Sequence, residues 1–371
     1  MAKKVAVFRK TRILHLGFDP VAKPWSGALV RMMSGHHKFG HVEHHAPDPG
    51  DEIAARYQFY RPEFPDLDGS TGPGKLNRMA RAMRKYELVI VHGEAGFPAT
   101  MAHSLFGEAL KLPPLVHYHD SLSGFAGGPM KRFRHKLGFA RTSAVIAPAP
   151  AAANEMASRW ALGGGRLRIA VPPFPAKPPA QKPDAIPQMM KRKGESWIGV
   201  RAALLLRDPQ PLLRAMLRVD EHWRLVVFGT KEECLAVSSA ADVEQVADRV
   251  MTSTRLSGPE DRAGLFDIIA IAGPAPGALI PPALFHAAAA GVPLLVEGRE
   301  LNPLLPAKAS DLAVASGGRK DLADAMVDLA TSEVKRKGVA RAMEEFAATH
   351  AKGAEHLALF SELTGDERIV C

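Results

Sequence analysis

The feature that most constrains this chain is a repeated alternation between continuous apolar segments and helical segments. In the first half the apolar segments are TRILHLGF (11–18), ELVIVH (87–92), PLVHYH (114–119) and SAVIAP (143–148). Such runs indicate strands buried on both faces, as in a parallel sheet covered by helices. The order of strand, glycine-bearing loop, helix and strand at the start is half of a mononucleotide-binding unit. The predicted helices are 27–38, 75–86, 98–111, 129–141 and 150–161.

The second half repeats the pattern after a stiff connector. Residues 172–187 carry seven prolines and no hydrophobic period, which is typical of an extended linker. A chain of 371 residues is long enough for two domains. We therefore predict an N-terminal domain at 1–175, a C-terminal domain at 176–345, and a terminal helix at 346–371 that crosses back to the first. Within the second half, strands are predicted at SWIGVRA, 224–230, 265–272 and 291–298, with helices at 208–219, 231–248, 281–290, 319–331 and 338–363.

Composition narrows the classes of partner. A net charge of +9 draws the chain toward anions such as nucleic acid, acidic lipid headgroups or phosphorylated substrates. Aromatic residues make up 6%, and no cluster of basic and aromatic residues forms a base-stacking platform, so no nucleic acid partner is predicted. Two cysteines far apart exclude a disulfide framework and a cysteine zinc site. No apolar window reaches the ~18–20 residues of a membrane span, and we expect a cytoplasmic protein.

The order of these segments resembles the family 4 glycosyltransferases of GT-B fold, over nearly the whole chain. RILHLGF, PWSGALVRMM and FGHVEH resemble the first strand, glycine loop, helix and second strand of that family. ELVIVHGEAG, PPLVHYHD, SAVIAPAPAAANEMASRW and LRIAVPPF follow in the same order. IGVR, RLVVFG, LFDIIAI and HAAAAGVPLLV continue it. The resemblance implies two Rossmann-like domains with parallel sheets that face each other across a cleft.

The resemblance also implies an activity. Such enzymes move a sugar from a nucleotide-sugar donor to a glycan, glycolipid or other acceptor, usually in polysaccharide or cell-surface glycan assembly. The donor binds mainly to the C-terminal domain and the acceptor to the N-terminal one. Retaining members usually use neither a metal nor a cofactor, so cationic side chains hold the diphosphate. Arg201 and Arg207 stand where the family places these cations, although ordinary solvated arginines are an equal reading. Gly27, Gly229 and Gly277 are further predicted donor contacts; Gly27 could instead only open its helix.

Polar residues follow two of the predicted strands. His119 and Asp120 end one strand, and Glu94 lies just beyond another that ends at His92. Parallel strands bind ligands at their carboxyl edge. We predict that His119, Asp120 and Glu94 belong to the catalytic site, with His119 orienting the donor sugar or the acceptor and Glu94 acting as an acceptor-side base. The open alternatives are that His119 caps a loop and that Glu94 forms a surface ion pair.

One departure from the family lies in the second half. Its members usually carry two glutamates before an "A-x-A-x-G-x-P" motif, and here Ala278 and His286 occupy those positions. Both stay predicted donor contacts, His286 through a hydrogen bond to a ribose hydroxyl and Ala278 through its backbone. A neutral imidazole, however, offers one acceptor where a carboxylate offers several. Glu297 and Glu300 are candidate substitutes. The loss leaves open a non-catalytic scaffold that binds a glycan or a protein, and a hydrolase or epimerase acting on nucleotide sugars.

Three further patterns lie in the first half of the chain: a glycine-rich segment, a group of histidines and two basic segments. GSTGPGKL (69–76) lacks the hydroxyl residue of a phosphate-binding P-loop. Histidines at 36, 37, 41, 44 and 45 span a helix end, a turn and a strand, so no metal site is predicted. The basic segments 75–86 and 129–136 would attract anionic lipid if they share a face, which predicts a peripheral contact at the inner face of the membrane; solvated helices are the alternative.

Overall fold

The computed structural model contains two compact units. It describes residues 11–19, 23–35, 39–45, 64–67, 72–120, 128–148, 150–163, 165–175, 177, 180–256, 258–272, 282–297, 314–315 and 318–365. Unit 1 takes in the described residues up to Pro173 and those from Lys352 onward. Unit 2 takes in the described residues from Phe174 to Ala351.

Unit 1 is built on a six-stranded sheet in the order β2-β1-β3-β4-β5-β6, in which every pairing is parallel. The side chains of β3, β4 and β5 are buried throughout, as expected for strands covered on both faces. The strands are β1 Thr11–Leu16, β2 Phe39–His45, β3 Leu88–His92, β4 Leu115–Tyr118, β5 Ala144–Ala147 and β6 Leu167–Ile169.

Helices cover this sheet. All five described below have a proline in the first turn, where its missing N–H breaks no intrahelical hydrogen bond. Leu76, Met79, Ala80 and Met83 are buried on one face of the helix Pro73–Met83, which overlaps the basic segment 75–86. The helices are α1 Pro24–Gly35, α2 Pro73–Met83, α3 Phe97–Leu110, α4 Pro129–Phe139 and α5 Pro150–Trp160, with α2 to α5 packed each against the next.

Unit 2 repeats this plan with a second six-stranded sheet, in the order β12-β11-β10-β7-β8-β9 and again parallel in every pairing. Its strands are β7 Ser196–Arg201, β8 Trp223–Phe228, β9 Val250–Ser253, β10 Ile268–Ile271, β11 Leu294–Glu297 and β12 Val314–Ala315. Its helices are α6 Ala202–Leu206, α7 Gln210–Ala215, α8 Lys231–Val243, α9 Pro282–Ala290, α10 Arg319–Thr331 and α11 Glu333–Ala351. The predicted α/β class with two Rossmann-like parallel sheets is confirmed.

Three details of the sequence prediction are wrong. Strands β9 and β12 were not predicted; β9 is only four residues long and its first three side chains are half-buried, so it carries no apolar run. The helix expected at 208–219 stops at Ala215 and continues as a short 3₁₀ turn. The single helix expected at 338–363 is two helices, α11 and a separate α12 at Ala354–Thr364. Gly353 separates them because it adopts a left-handed φ of +56° that a helix cannot contain.

Helix α12 is tied into unit 1 by a buried polar chain. The Tyr118 hydroxyl lies 2.8 Å from Nδ1 of His356, and His356 Nε2–H donates to the carbonyl of Val171 at 2.9 Å. Because Nε2 carries that proton, Nδ1 is the acceptor and the tyrosine is the donor. Burial raises the pKa of Tyr118 well above its ordinary value, so this donor keeps its proton.

Along β4 and the residue that follows it, successive side chains point to opposite faces of the sheet. Tyr118 meets Trp25 of α1 at a ring-centroid distance of 5.3 Å. His117 points the other way, where Phe139 of α4 lies 5.0 Å away and the Thr100 hydroxyl lies 2.9 Å from its Nδ1. Burial, together with the nearby charges of His119, His135 and Lys23, holds the pKa of His117 well below its ordinary value. His117 is therefore neutral in the folded chain at neutral pH.

No helix in the described part of the chain combines the length and the hydropathy that crossing a bilayer requires.

This buried histidine predicts a loss of stability in mild acid. The native state binds fewer protons than the unfolded state, so stability is complete above the unfolded pKa of about 6.5 and decreases as the pH falls below it. The unfolding free energy should fall by about 1 kcal/mol per pH unit below that point. We expect His117→Asn to be less stable than the wild type at pH 7.5. On acidification, however, its unfolding free energy should fall less than that of the wild type, as measured by urea unfolding. Equal slopes for the two proteins would contradict the assignment.

Candidate functional site

Each sheet contains a point at which the strand order reverses. In unit 1 it lies between β1 and β3, and in unit 2 between β7 and β10. In open α/β sheets, ligands bind outside the carboxyl ends of the strands at such a switch point. Residues that bind a ligand are therefore expected at these two places.

The switch point of unit 1 is formed by a close approach of backbone segments. Gly17 follows β1 with a φ of +70°, and a Cβ there would lie 3.0 Å from both the amide nitrogen of Gly96 and the carbonyl oxygen of His92. Lys23 donates to the same His92 carbonyl at 2.8 Å and lies 3.4 Å from the Asp120 carboxylate. The structure thus places Asp120 at the predicted edge, in an ion pair with Lys23.

Glu94 lies directly beyond β3 and pairs with a histidine of α4. His135 Nε2 is 3.1 Å from both oxygens of Glu94, and His135 Nδ1–H donates to the Lys131 carbonyl at 2.9 Å. Burial raises the pKa of the Glu94 carboxyl, but the hydrogen bond and charge of His135, with smaller effects of His119 and Lys131, lower it below its ordinary value. Glu94 is therefore an ionised hydrogen-bond acceptor at neutral pH.

A cavity of about 410 Å³ opens beside this pair, within unit 1. The ring of Phe97 forms part of its wall and stacks on His135 with centroids 4.3 Å apart. Lys131 and Arg134 contribute to its lining from α4. The cavity thus combines an apolar wall with charges of both signs.

His119 continues β4 by donating its backbone N–H to the Ile146 carbonyl. Its ring is buried, with Trp160 edge-on at 4.8 Å and His117 stacked at 6.0 Å. It points into the layer of helices because it has the same strand phase as His117. Its contact with donor or acceptor stays a prediction.

Gly27, predicted as the first residue of a helix at 27–38, instead lies inside a helix that starts earlier. Helix α1 begins at Pro24, three residues earlier than expected, because proline suits the first turn of a helix. Gly27 is buried inside that first turn. The glycine that permits a close backbone approach in this part of the chain is Gly17.

In unit 2, Arg201 ends β7 beside the switch point. Its Nη2 forms an ion pair with Glu260, whose side chain is only 8% exposed while that of Arg201 is 48% exposed. A Cβ on Gly258 would lie 2.7 Å from Arg201 Nε and 2.4 Å from Glu260 Oε2, so a glycine leaves the space that this pair occupies. The Oε2 atom of Glu260 is buried and has no hydrogen-bond partner within the described residues.

The remaining donor-side candidates are dispersed. Arg207 is exposed at the end of α6. Gly229 follows β8, and a Cβ there would lie 2.6 Å from Cβ of Ala202, so this glycine permits β8 and α6 to pack closely. His286 is half-buried on α9. Gly277, Ala278 and Glu300 lie outside the described residues.

Glu297 is engaged elsewhere. Arg319 grips its carboxylate at 3.0 and 3.1 Å and also donates to the carbonyls of Leu204 and Asp208. Glu297 therefore orients an arginine that satisfies the carbonyl end of α6. Its use as a substitute for the family's glutamates is not favoured by this geometry.

Sequence reasoning missed the partners of the candidate residues. Lys23, His135 and Glu260 lie 97, 41 and 59 residues from Asp120, Glu94 and Arg201 in sequence. His15 was also missed; its Nδ1 lies 2.8 Å from Nε2 of His92 in the core of unit 1. No local pattern identifies such pairs.

Within the described ranges, no three His, Cys, Asp or Glu side chains are grouped so as to hold a metal ion. Of the clustered histidines, 36 and 37 lie outside these ranges.

Comparison with solved structures gives the same fold. The chain is similar to Anabaena Alr3699/HepE in complex with UDP, at 14% identity and a TM-score of 0.66 over 95% of this chain and 100% of the other. It is similar to sucrose-phosphate synthase from Thermosynechococcus elongatus, at 12% identity and a TM-score of 0.63 over 96% and 100%. A UDP-N-acetylglucosamine 2-epimerase matches at 14% identity and a TM-score of 0.58 over 95% and 97%. No protein-family model and no curated protein sequence matches the chain. The likeness to these solved structures establishes the GT-B fold.

The close approach at Gly17 gives a testable prediction. Gly17→Ala should destabilise the chain more than Gly194→Ala. Both glycines have a positive φ, which costs about 1–2 kcal/mol for alanine, but a Cβ at 194 meets nothing within 4 Å. At position 17 the Cβ meets backbone atoms, which adds roughly 1–3 kcal/mol of overpacking. The two variants are compared by urea unfolding; equal losses would count against this packing.

Proposed function

We propose that this chain is a glycosyltransferase that moves a sugar from a nucleotide-sugar donor to a glycan, glycolipid or other acceptor. The observation that carries the proposal is Arg201, a half-exposed guanidinium held by a buried carboxylate at the switch point of unit 2. UDP-bound and UDP-glucose-bound structures among the similar folds support a nucleotide-sugar ligand. A role in polysaccharide or cell-surface glycan assembly belongs to the same proposal.

The leaving group of such a reaction is a nucleoside diphosphate, and its negative charge develops as the glycosidic bond breaks. Arg201 supplies permanent positive charge and N–H donors that suit phosphate oxygens. Glu260 uses one guanidinium nitrogen and thereby fixes the orientation of the rest. Glu260 is accordingly a positioning residue, and Arg207 adds a second exposed cation from the end of α6.

Glu94 suits the acceptor side. A carboxylate with a lowered pKa is a weak base but a good acceptor of a hydrogen bond from a hydroxyl. In a retaining reaction the departing phosphate itself takes the proton of the acceptor. Glu94 would then orient the acceptor hydroxyl, and His135 would hold Glu94 in place. No metal is needed in this scheme, because the charge of the phosphates is met by arginine.

Two alternatives follow from specific observations. The replacement of two carboxylates by Ala278 and His286 favours a non-catalytic scaffold that binds a glycan or a protein partner. The similarity to a 2-epimerase favours a nucleotide-sugar epimerase. Binding of a donor argues against the scaffold, and the product of turnover separates transferase from epimerase.

Donor binding is tested by titrating UDP-, GDP-, ADP- and CMP-sugars into the full chain by calorimetry. We expect one of them to show saturable binding. Arg201→Ala should weaken the affinity for that nucleotide sugar roughly 10- to 100-fold, since hydrogen bonds to charged groups contribute about 1.5–3 kcal/mol. Glu260→Gln should weaken it by a smaller factor, because the guanidinium remains but loses its orientation.

The matched control is Glu244→Gln, which breaks a similar pair with Arg214 in the same unit, between an exposed arginine and a nearly buried glutamate. It should leave donor affinity unchanged. If no nucleotide sugar binds to the natively folded wild type, the scaffold replaces the transferase.

We also propose that α4 makes a peripheral contact with anionic membrane. Met130 and Phe133 are 72% and 61% exposed, and they share a helix face with Leu137. The helix carries no acidic residue. Apolar side chains flanked by cations are typical of helices that lie in the interface of an anionic bilayer. The cations of α4 are Lys131, Arg132, Arg134 and Lys136.

Sedimentation with phosphatidylserine vesicles tests this contact. Phe133→Ser should lower the partition roughly tenfold, since burying a phenylalanine contributes about 1.5–3 kcal/mol. Leu235→Ser is the control, because Leu235 is 60% exposed on α8 of unit 2. Binding should also fall between about 0.1 and 1 M salt as the Debye length shortens from ~10 to ~3 Å. Binding that is indifferent to salt and to lipid charge would refute the contact.

A further inference from the structure

The cavity beside Glu94 has a composition that selects a particular kind of ligand. Its volume of about 410 Å³ falls in the range of about 300–1,000 Å³ in which proteins bind small molecules. It lies wholly within unit 1, between the turn after β3 and the first two turns of α4.

Positive charge predominates in the lining. Lys131 and Arg134 contribute two permanent cations, and Glu94 contributes one carboxylate. Both ring nitrogens of His135 face hydrogen-bond acceptors, the Lys131 carbonyl and the Glu94 carboxylate. Glu94 is hydrogen-bonded to His135, and the lining places the two cations Lys131 and Arg134 beside this single carboxylate.

Apolar surface accompanies this charge. Phe97 lines the cavity and is held rigidly by its stack on His135 and by an edge contact with Phe139, with ring centroids 5.5 Å apart. Met130 lines the cavity as well, and most of its side chain is exposed. An apolar path therefore leads from Phe97 past Met130 to the exposed face of α4. A fully polar anion would leave this surface uncovered.

We propose that this cavity binds an amphiphile in which a phosphate or carboxylate group is attached to an apolar chain. The anionic group contacts Lys131 and Arg134, and the chain passes over Phe97 and Met130. A hydroxyl on the same ligand would reach Glu94, which makes the amphiphile the acceptor; this last step rests on the proposed function. The binding itself does not depend on it.

The test is a calorimetric titration of the full chain, without any nucleotide sugar, using hexyl phosphate, inorganic phosphate and 1-hexanol. We expect hexyl phosphate to bind at least tenfold more tightly than either of the other two. If inorganic phosphate binds equally well, the site recognises a free anion and the proposal is overturned. If 1-hexanol binds equally well, the cations play no part and the proposal is likewise overturned.

Variants of α4 separate the cavity from the general charge of the helix. Lys131→Gln and Arg134→Gln alter two cations that line the cavity, whereas Arg132→Gln and Lys136→Gln alter two exposed cations of the same helix that do not line it. Each of the first two variants should weaken the affinity for hexyl phosphate roughly tenfold, and each of the second two should weaken it less than about twofold. Equal effects of all four would overturn the proposal.

Two further measurements keep the result interpretable. Met130→Ser leaves every charge in place and should weaken the binding of hexyl phosphate without changing that of inorganic phosphate. Unchanged binding of hexyl phosphate with weaker binding of inorganic phosphate would overturn the apolar contact. Titration of the wild type with nucleotide sugars is carried out in parallel. If the chain binds hexyl phosphate but no nucleotide sugar, the proposed amphiphile site stands and the proposed transferase activity is rejected. The two proposals can therefore fail separately.

Discussion

In both units a parallel sheet is covered on both faces, and this burial determines where polar groups can be accommodated. A side chain in the middle of β3 or β10 is surrounded by apolar neighbours, so a charge there would be desolvated without compensation. Where the strands end, backbone and side chains turn outward and charges can be hydrated or paired. The ion pairs of Asp120, Glu94 and Arg201 all lie at such ends. The candidate chemistry therefore follows from the architecture.

The three pairs differ in how much of each charge a ligand can reach. Lys23 and Asp120 are both partly exposed, so water screens them. In the pair of Glu94 and His135 the histidine is buried, which leaves the carboxylate as the accessible member. In the pair of Arg201 and Glu260 the carboxylate is buried, which leaves the guanidinium accessible. Unit 1 thus presents an acceptor of hydrogen bonds, and unit 2 presents a donor with positive charge.

The sequence predicts the strands well because their signal is local. Apolar runs such as LVIVH and WRLVVF need no tertiary information to be recognised, and the bounds of the predicted strands agree within about three residues. Strand β9 lacks this signal because its side chains are half-buried, and Gly353 divides two helices whose periodicity looks continuous. For the candidate site, the sequence predicts only that polar residues lie at the ends of strands. The partners of Glu94 and Arg201, and the inward direction of His119, depend on contacts between elements distant in sequence.

The hydrogen-bonded chain from Tyr118 through His356 to Val171 has a consequence for biosynthesis. Helix α12 supplies buried side chains to a unit whose sheet is complete by Ile169. On the ribosome the strands of unit 1 emerge first, but the helix that finishes their packing emerges only after all of unit 2. The buried side chains of α12 are therefore unavailable to the amino-terminal unit until some 180 further residues have been translated. Unit 2, whose elements are contiguous in the chain up to Ala351, can complete its own packing before that helix arrives.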